Sequence, residues 1–192
     1  MLAPALNFAP ELLLLAQPIR AAIFDVDGVL TDGRIYLGGH GEEYKAFSTL
    51  DGHGLKLLAR AGIVPMIVSG RDSAALRQRV ADLNIAHARF AVADKLTAAQ
   101  QLLAPLKLAW SQVAAMGDDW PDLPMLRNAA FSCAPPGAHA EVRAACAFVT
   151  RARAGYGAAR ECCDLLLIAS GRYVDLLHEP QTSLDGSTRA AT

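Results

Sequence analysis

The sequence has no apolar stretch approaching the roughly 18–20 residues that a helix needs to cross a bilayer. It has no basic excess either: 18 Lys and Arg stand against 19 Asp and Glu, for a net charge of -1. The first absence argues against a membrane span, and the second against an electrostatic footprint for nucleic acid or an anionic membrane surface. The leucines at 12–15 are too few for a signal peptide, follow Pro10 and Glu11, and have no basic stretch before them, so none is expected. Cysteine is scarce. Cys133, Cys146, Cys162 and Cys163 show no CxxC spacing, so they read as reduced, mostly buried small hydrophobes of a cytosolic protein. The five histidines are scattered and none pairs with a cysteine at ligand spacing, so zinc is not expected. No internal repeat is visible.

What is present is a chain of 192 residues, 53% of them hydrophobic, a length that suits one domain with a sizeable core. Residues 1–18 read as a loosely attached N-terminal extension with one short helix after Pro10. From Ile19 onward, short apolar runs alternate with helical patterns. Strands are expected at 19–24, 64–68, near 89–92, at 113–116, 130–133 and 147–149. Asp72 or Ser73 is placed to cap a helix running to about Leu83. Further helices are expected from about Leu96 to Leu106, after Pro121, and over 158–170. Such alternation predicts an α/β fold, a Rossmann-like, doubly wound and mostly parallel sheet covered on both faces. Domain boundaries fall near 19 and 178, and the polar tail over 179–192 is expected to be disordered. One segment breaks the alternation. Residues 35–37, the glycine-rich 38–41 and residues 42–47 read as a protruding β-hairpin after the first strand. The GGxG string there is not a nucleotide loop, because no strand-to-helix context and no Lys-Ser/Thr follow it.

The chemistry concentrates at the predicted strand ends. Asp25-Val26-Asp27-Gly28-Val29-Leu30-Thr31 follows the first apolar run, and two carboxylates at i and i+2 are costly to desolvate unless a cation or a reacting group neutralises them. Gly28 lets the backbone turn sharply and approach a ligand. The second strand ends in Ser69-Gly70-Arg71, the third leads to Asp94-Lys95, and the fourth ends in Gly117-Asp118-Asp119 with Asp122 three residues on. Singly, a turn hydroxyl, a surface lysine and helix-capping carboxylates would account for them. Together, in this order, they match the needs of phosphoryl transfer through an aspartyl-phosphate. Such a site needs a carboxylate nucleophile, an acid/base neighbour, hydroxyl and ammonium groups for the phosphoryl oxygens, and carboxylates for a hard cation.

These elements resemble the four motifs of the haloacid dehalogenase superfamily of phosphohydrolases. Asp25-x-Asp27-Gly28-Val29-x-Thr31 resembles the first, Ser69 the second, Lys95 the third and Gly117-Asp118-Asp119-x-x-Asp122 the fourth. Over about residues 19–178 the chain is similar to the 3-deoxy-D-manno-octulosonate-8-phosphate (KDO-8-phosphate) phosphatase family. That similarity includes Leu30-Thr31-Asp32-Gly33, Gly41-Glu42-Glu43-x-Lys45-x-Phe47, Asp51-Gly52-x-Gly54, Ser69-Gly70-Arg71, Asp94-Lys95, Val149-Thr150-Arg151 and Gly157-Ala158-x-Arg160-Glu161. Ala154-Gly155-Tyr156-Gly157 departs from the family's Gly-Gly-x-Gly loop, whose third residue is basic.

The resemblance implies a Mg2+-dependent, cytoplasmic phosphatase of lipopolysaccharide precursor synthesis. In it Asp25 is the nucleophile and Asp27 the acid and base. Asp25, the Asp27 carbonyl and Asp118 are metal ligands, and Ser69 and Lys95 hold phosphoryl oxygens. Asp119 and Asp122 order metal-bound water or Lys95 from behind. Arg71, Arg79 and the stretch Ser48, Thr49, Leu50, Asp51, Gly52 match positions that contact the sugar acid. Neither the 27–69 nor the 69–95 interval has room for a cap domain, so either the substrate is large or a neighbour in a homotetramer is expected to close the site. Receiver domains also gather acidic residues, Ser/Thr and Lys around Mg2+, but have no acid/base carboxylate two residues after the acceptor, so Asp27 speaks against a signalling module. A catalytically idle domain would be expected to have lost part of the acidic set. A nine-carbon sugar-acid 9-phosphate is the alternative substrate within the same family; Arg71 directly after Ser69-Gly70 favours the eight-carbon one.

Overall fold

The structure is a computed structural model that describes residues 4–39 and 41–179. A helix, α1 (Pro10–Ala16), precedes the first strand, β1 (Ala21–Phe24). The hairpin β2 (Tyr36–Gly38) and β3 (Gly41–Tyr44) follows, then α2 (Thr49–Arg60), β4 (Val64–Val68), α3 (Ala74–Asp82), β5 (His87–Arg89) and α4 (Lys95–Leu103). The second half runs β6 (Val113–Met116), α5 (Leu123–Asn128), β7 (Phe131–Ala134), α6 (Ala140–Ala145), β8 (Phe148–Val149), α7 (Ala158–Ala169) and α8 (Tyr173–His178).

Six strands form one parallel sheet in the order β5-β4-β1-β6-β7-β8, and β2 and β3 form a separate antiparallel pair. The period of two residues in a strand divides the core between the two faces of the sheet. Ala22, Phe24, Ile67 and Met116 point to the side covered by α2, α3 and α7. Ala21, Ile23, Met66 and Val68 point to the side covered by α4, α5 and α6. Both faces are dry, which is why these strands read as continuous apolar runs. The doubly wound α/β architecture, the hairpin and the lack of an inserted cap are as the sequence predicts. No helix among the described residues is long and apolar enough to cross a membrane.

The differences are local and physical. The strand expected near 89–92 is β5 at 87–89, because Ala91 takes a left-handed φ of 52° and Val92 N–H turns back to donate to the Ser69 carbonyl at 3.1 Å. The helix expected to reach Leu106 ends at Leu103 and tightens into a single 3-10 turn at Ala104–Leu106, where Pro105 has no N–H to offer. The segment expected to hang loosely before Ile19 is seated: Phe8, Leu12 and Leu13 pack on the core, and Phe8 meets Phe148 edge-on with centroids 5.9 Å apart. The polar tail beyond residue 179 lies outside the described residues. All four cysteines are free, and Cys133, Cys162 and Cys163 are buried.

The topology fixes where a ligand goes. From β1 the chain winds outward through β4 and β5, then returns to β6 on the other side of β1. The carboxyl end of β1 is therefore a topological switch point, where the flanking connections splay apart and leave a crevice.

Candidate active site

Asp25 continues β1 past its last paired residue, with its N–H still donating to the Met116 carbonyl at 3.0 Å. The chain then folds back so tightly that the Val26 carbonyl accepts from the N–H groups of Val29, Leu30 and Thr31 at 3.2, 2.9 and 3.0 Å. The buried Thr31 hydroxyl locks this turn by accepting from Gly33 N–H at 3.2 Å. Gly28 is required within it. Its φ is 84°, and a Cβ there would lie 2.1 Å from an Asp118 carboxylate oxygen, so the two motifs can only be this close through a glycine.

Lys95 is delivered by a helix start. Asp94 caps α4 by accepting from Thr97 N–H at 3.1 Å and Thr97 Oγ1 at 2.6 Å, an arrangement worth about 1 kcal/mol. The next side chain is thereby sent inward. Lys95 Nζ lies 2.9 Å from Asp25 Oδ1 and 2.6 Å from Asp122 Oδ1. Asp122 is fully buried, and its other oxygen accepts from the N–H groups of Asp118 and Asp119 at 3.1 and 3.3 Å. Asp122 therefore stands behind the site, holding Lys95 and the Asp118-Asp119 peptides in place. Ser69 is buried, and its Oγ accepts from Arg71 N–H at 3.1 Å.

Carboxylate oxygens of Asp25, Asp118 and Asp122 all lie within 4.8 Å of one another. Burial, with Asp122 adding to it and Lys95 opposing, pushes the Asp25 carboxyl up to about 6. Burial together with Asp25 and Asp122 pushes Asp118 up to about 8. Burial pulls the Lys95 ammonium down, but Asp25 and Asp122 more than reverse it, and the net shift is upward. One ammonium does not neutralise three crowded carboxylates. With Asp122 engaged by Lys95 and two amides, Asp25 and Asp118 remain as paired all-oxygen donors whose upward shifts mark negative charge that the protein leaves uncompensated, a set that fits a hard divalent cation such as Mg2+.

A cleft of about 340 Å3 opens over this cluster, lined by Asp25, Asp27, Arg71, Lys95, Asp118, Asp119 and Asp122, with Gly70, Val92, Ala93 and Pro121 completing it. The structure thus brings together most of the acidic and basic residues singled out by the sequence. The stretch 48–52 lies apart from it and is not a loop. Ser48 caps α2, accepting from Leu50 and Asp51 N–H at 3.2 and 3.5 Å, and 49–52 form the helix's first turn. Ser48, Thr49 and Leu50 line a separate cleft of about 450 Å3 with Asp32, Gly155 and Tyr156. Asp51 turns inward instead, accepting from Gly157 and Arg160 N–H at 3.2 and 2.8 Å, where burial raises its carboxyl above the usual range. Arg79 supports this turn from below. Its Nη2 donates to the Ser48 carbonyl at 2.9 Å, and a Cβ at Gly52 would come within 2.2 Å of it.

Lys45 was not among the residues that sequence reasoning placed in the site. It follows β3, and its ammonium makes a short ion pair with Asp27 Oδ1. The only signal for it was its place in the Gly41-to-Phe47 string, which marks similarity without indicating a partner.

Comparison with known proteins agrees with this geometry. The haloacid dehalogenase-like hydrolase family matches residues 90–161, the stretch that carries Lys95, Asp118 and Asp122. The chain is 40% identical over 164 residues to 3-deoxy-D-manno-octulosonate 8-phosphate phosphatase of Salmonella typhimurium, covering 85% of this chain and 87% of that protein. It is 42% identical over 157 residues to the Escherichia coli K12 enzyme of the same name, covering 82% and 84%. The crystal structure of the Moraxella catarrhalis enzyme, in complex with magnesium, phosphate and KDO, superposes with a TM-score of 0.84 at 38% identity, covering 87% of this chain and 96% of that one. The chain belongs to the 3-deoxy-D-manno-octulosonate 8-phosphate phosphatase family of haloacid dehalogenase-like hydrolases.

Proposed function

We propose that this protein hydrolyses 3-deoxy-D-manno-octulosonate 8-phosphate to the free sugar acid and inorganic phosphate, with Mg2+ as cofactor. The observation that carries the reading is the Asp25–Lys95–Asp118 cluster at the switch point of the sheet, in a chain about 40% identical to phosphatases named for that substrate. Asp25, Asp118 and the Asp27 carbonyl would hold Mg2+. When bound, the cation supplies the positive charge that offsets repulsion between an anionic nucleophile and an anionic substrate.

The chain's own groups then account for both halves of the reaction. An Asp25 oxygen attacks phosphorus in line, and the bond from phosphorus to the sugar oxygen breaks as Asp27 passes its proton to that oxygen. Asp27, now a carboxylate, takes a proton from the water that attacks the aspartyl-phosphate, releasing phosphate and restoring Asp25. Lys95 and the Ser69 hydroxyl hold the phosphoryl oxygens in the transition state. Arg71, exposed at the rim of the cleft, offers a planar fork to the carboxylate of the sugar acid. The first turn of α2, where Ser48, Thr49 and Leu50 line a neighbouring cleft, would contact the sugar, and Arg79 contributes by bracing that turn.

Residues 19–178 would form the phosphatase domain, and the chain would work as a homotetramer. Ile35, Tyr36, Leu37 and Tyr44 of the hairpin are 43–74% exposed, an apolar surface that a two-stranded ribbon does not cover by itself. The four free thiols support a reducing compartment, the cytoplasm. The test is phosphate release from a panel of eight- and nine-carbon sugar-acid phosphates and simple sugar phosphates, with Mg2+ and with chelator. Preference for the eight-carbon substrate with loss of activity in chelator is expected; a preferred nine-carbon substrate or metal-independent release would refute the reading.

A further inference from the structure

We propose that Lys45 is a positioning residue for Asp27, so that the hairpin takes part in the chemistry as well as in assembly. The proposal rests on the reading of Asp27 as the group that exchanges protons with the leaving sugar oxygen and with water. The Lys45 side chain is only 1% exposed, whereas its neighbour Tyr44 is 69% exposed. The chain thus leaves the exposed hairpin by driving an ammonium inward against Asp27 Oδ1. Asp27 Oδ2 accepts no hydrogen bond among the described residues and is buried; Arg71 Nε approaches it to 4.0 Å.

A buried ion pair is a poor device for stability alone. Desolvating the two charges consumes most of what their attraction returns, and an apolar pair of the same volume does as well. Here the pair has a geometric consequence. Asp25 and Asp27 stand two residues apart, and each meets an ammonium: Lys95, shared with Asp122, on Asp25 Oδ1 and Lys45 on Asp27 Oδ1. Lys45 fixes the Asp27 carboxyl through Oδ1 and leaves Oδ2 as the oxygen that gives and takes the proton. Preorganisation of this kind is what a general acid needs to meet a leaving oxygen in flight.

The test uses leaving groups that differ in their need for a proton. A sugar alkoxide needs one; p-nitrophenolate does not. With the full chain and Mg2+, Lys45→Met should lower kcat/KM for the sugar phosphate by about 10²-fold, the lower end of what a general acid contributes, and lower that for p-nitrophenyl phosphate by less than about tenfold. Lys45→Arg should recover part of the sugar-phosphate rate. Adding Lys45→Met to Asp27→Asn should cost little more than Asp27→Asn alone, since both disable one group. Equal losses on the two substrates, or fully additive losses, would overturn the proposal. Should Lys45→Met fail to fold, Lys45→Gln carries the same comparison. If the wild-type chain prefers another sugar phosphate, the substrate assignment falls while the leaving-group comparison on that sugar still decides the role of Lys45.

Discussion

Asp25→Asn should abolish turnover and at the same time make the metal-free protein harder to unfold. The activity half is chemical: an amide is neither a competent nucleophile nor a good Mg2+ ligand. The stability half follows from the electrostatics of the cluster. In the folded, metal-free protein the Asp25 carboxyl is pushed from 3.8 up to about 6, chiefly by burial and by Asp122. A carboxyl whose pKa is raised on folding stabilises the fold fully below its unfolded value, near 4, and loses that contribution as pH rises through the folded value. At pH 8, then, the ionised Asp25 opposes folding. A shift of about two units corresponds to about 3 kcal/mol at 1.36 kcal/mol per unit. Asparagine offers Lys95 only a neutral, weaker acceptor, which offsets part of this and leaves a gain of about 1–2 kcal/mol, or about 2–8 °C in a chain of this length. Thermal unfolding of wild type and Asp25→Asn in chelator at pH 5 and pH 8 measures it. The variant should melt higher at pH 8, the gap should shrink at pH 5, and saturating Mg2+ should raise wild type more than the variant. A variant that melts lower at both pH values would refute the electrostatic argument, and one that keeps more than about 1% of wild-type activity would refute Asp25 as nucleophile.

Three further outcomes are expected. Asp27→Asn should slow sugar-phosphate hydrolysis by about 10²–10⁴-fold, as loss of a general acid and base does; wild-type rates would remove Asp27 from that role. Gly28→Ala should weaken Mg2+ activation severely, because its Cβ would press on Asp118 at 2.1 Å and its φ of 84° is strained for alanine; an unchanged Mg2+ dependence of the rate would mean that the two motifs need not touch. Replacing Ile35 and Leu37 with Asp should give smaller species in light scattering, with weakened substrate affinity and a largely intact Mg2+ site; a wild-type chain that runs as an active monomer at nanomolar concentration would sink the tetramer.

The sheet and most of the site were legible because both depend on local patterns. Buried parallel strands are continuous apolar runs, and each run here ends at a polar residue whose type is dictated by chemistry: Asp25, Ser69, Asp118. What escaped the sequence depends on contacts between distant segments. The end of β5 is set by a left-handed alanine that no propensity favours. Asp51, expected at the sugar, is drawn inward by the amides of Gly157 and Arg160, more than a hundred residues away. Arg79 was expected at the sugar acid, and only the folded chain reveals the Ser48 carbonyl above it. Lys45 is a lysine in a hairpin that reads as exposed, and its burial against Asp27 is a product of how the hairpin returns to the domain.

The central claim is that a sugar phosphate passes its phosphoryl group to Asp25. The direct measurement is rapid acid quench of the Mg2+-loaded protein with phosphorus-labelled 3-deoxy-D-manno-octulosonate 8-phosphate, followed by peptide mapping. Label should appear on the peptide containing Asp25 during turnover, accumulate further in Asp27→Asn relative to its rate of phosphate release, and be absent from Asp25→Asn. Release of labelled phosphate with no label on the protein, or label on any other residue, would contradict the account.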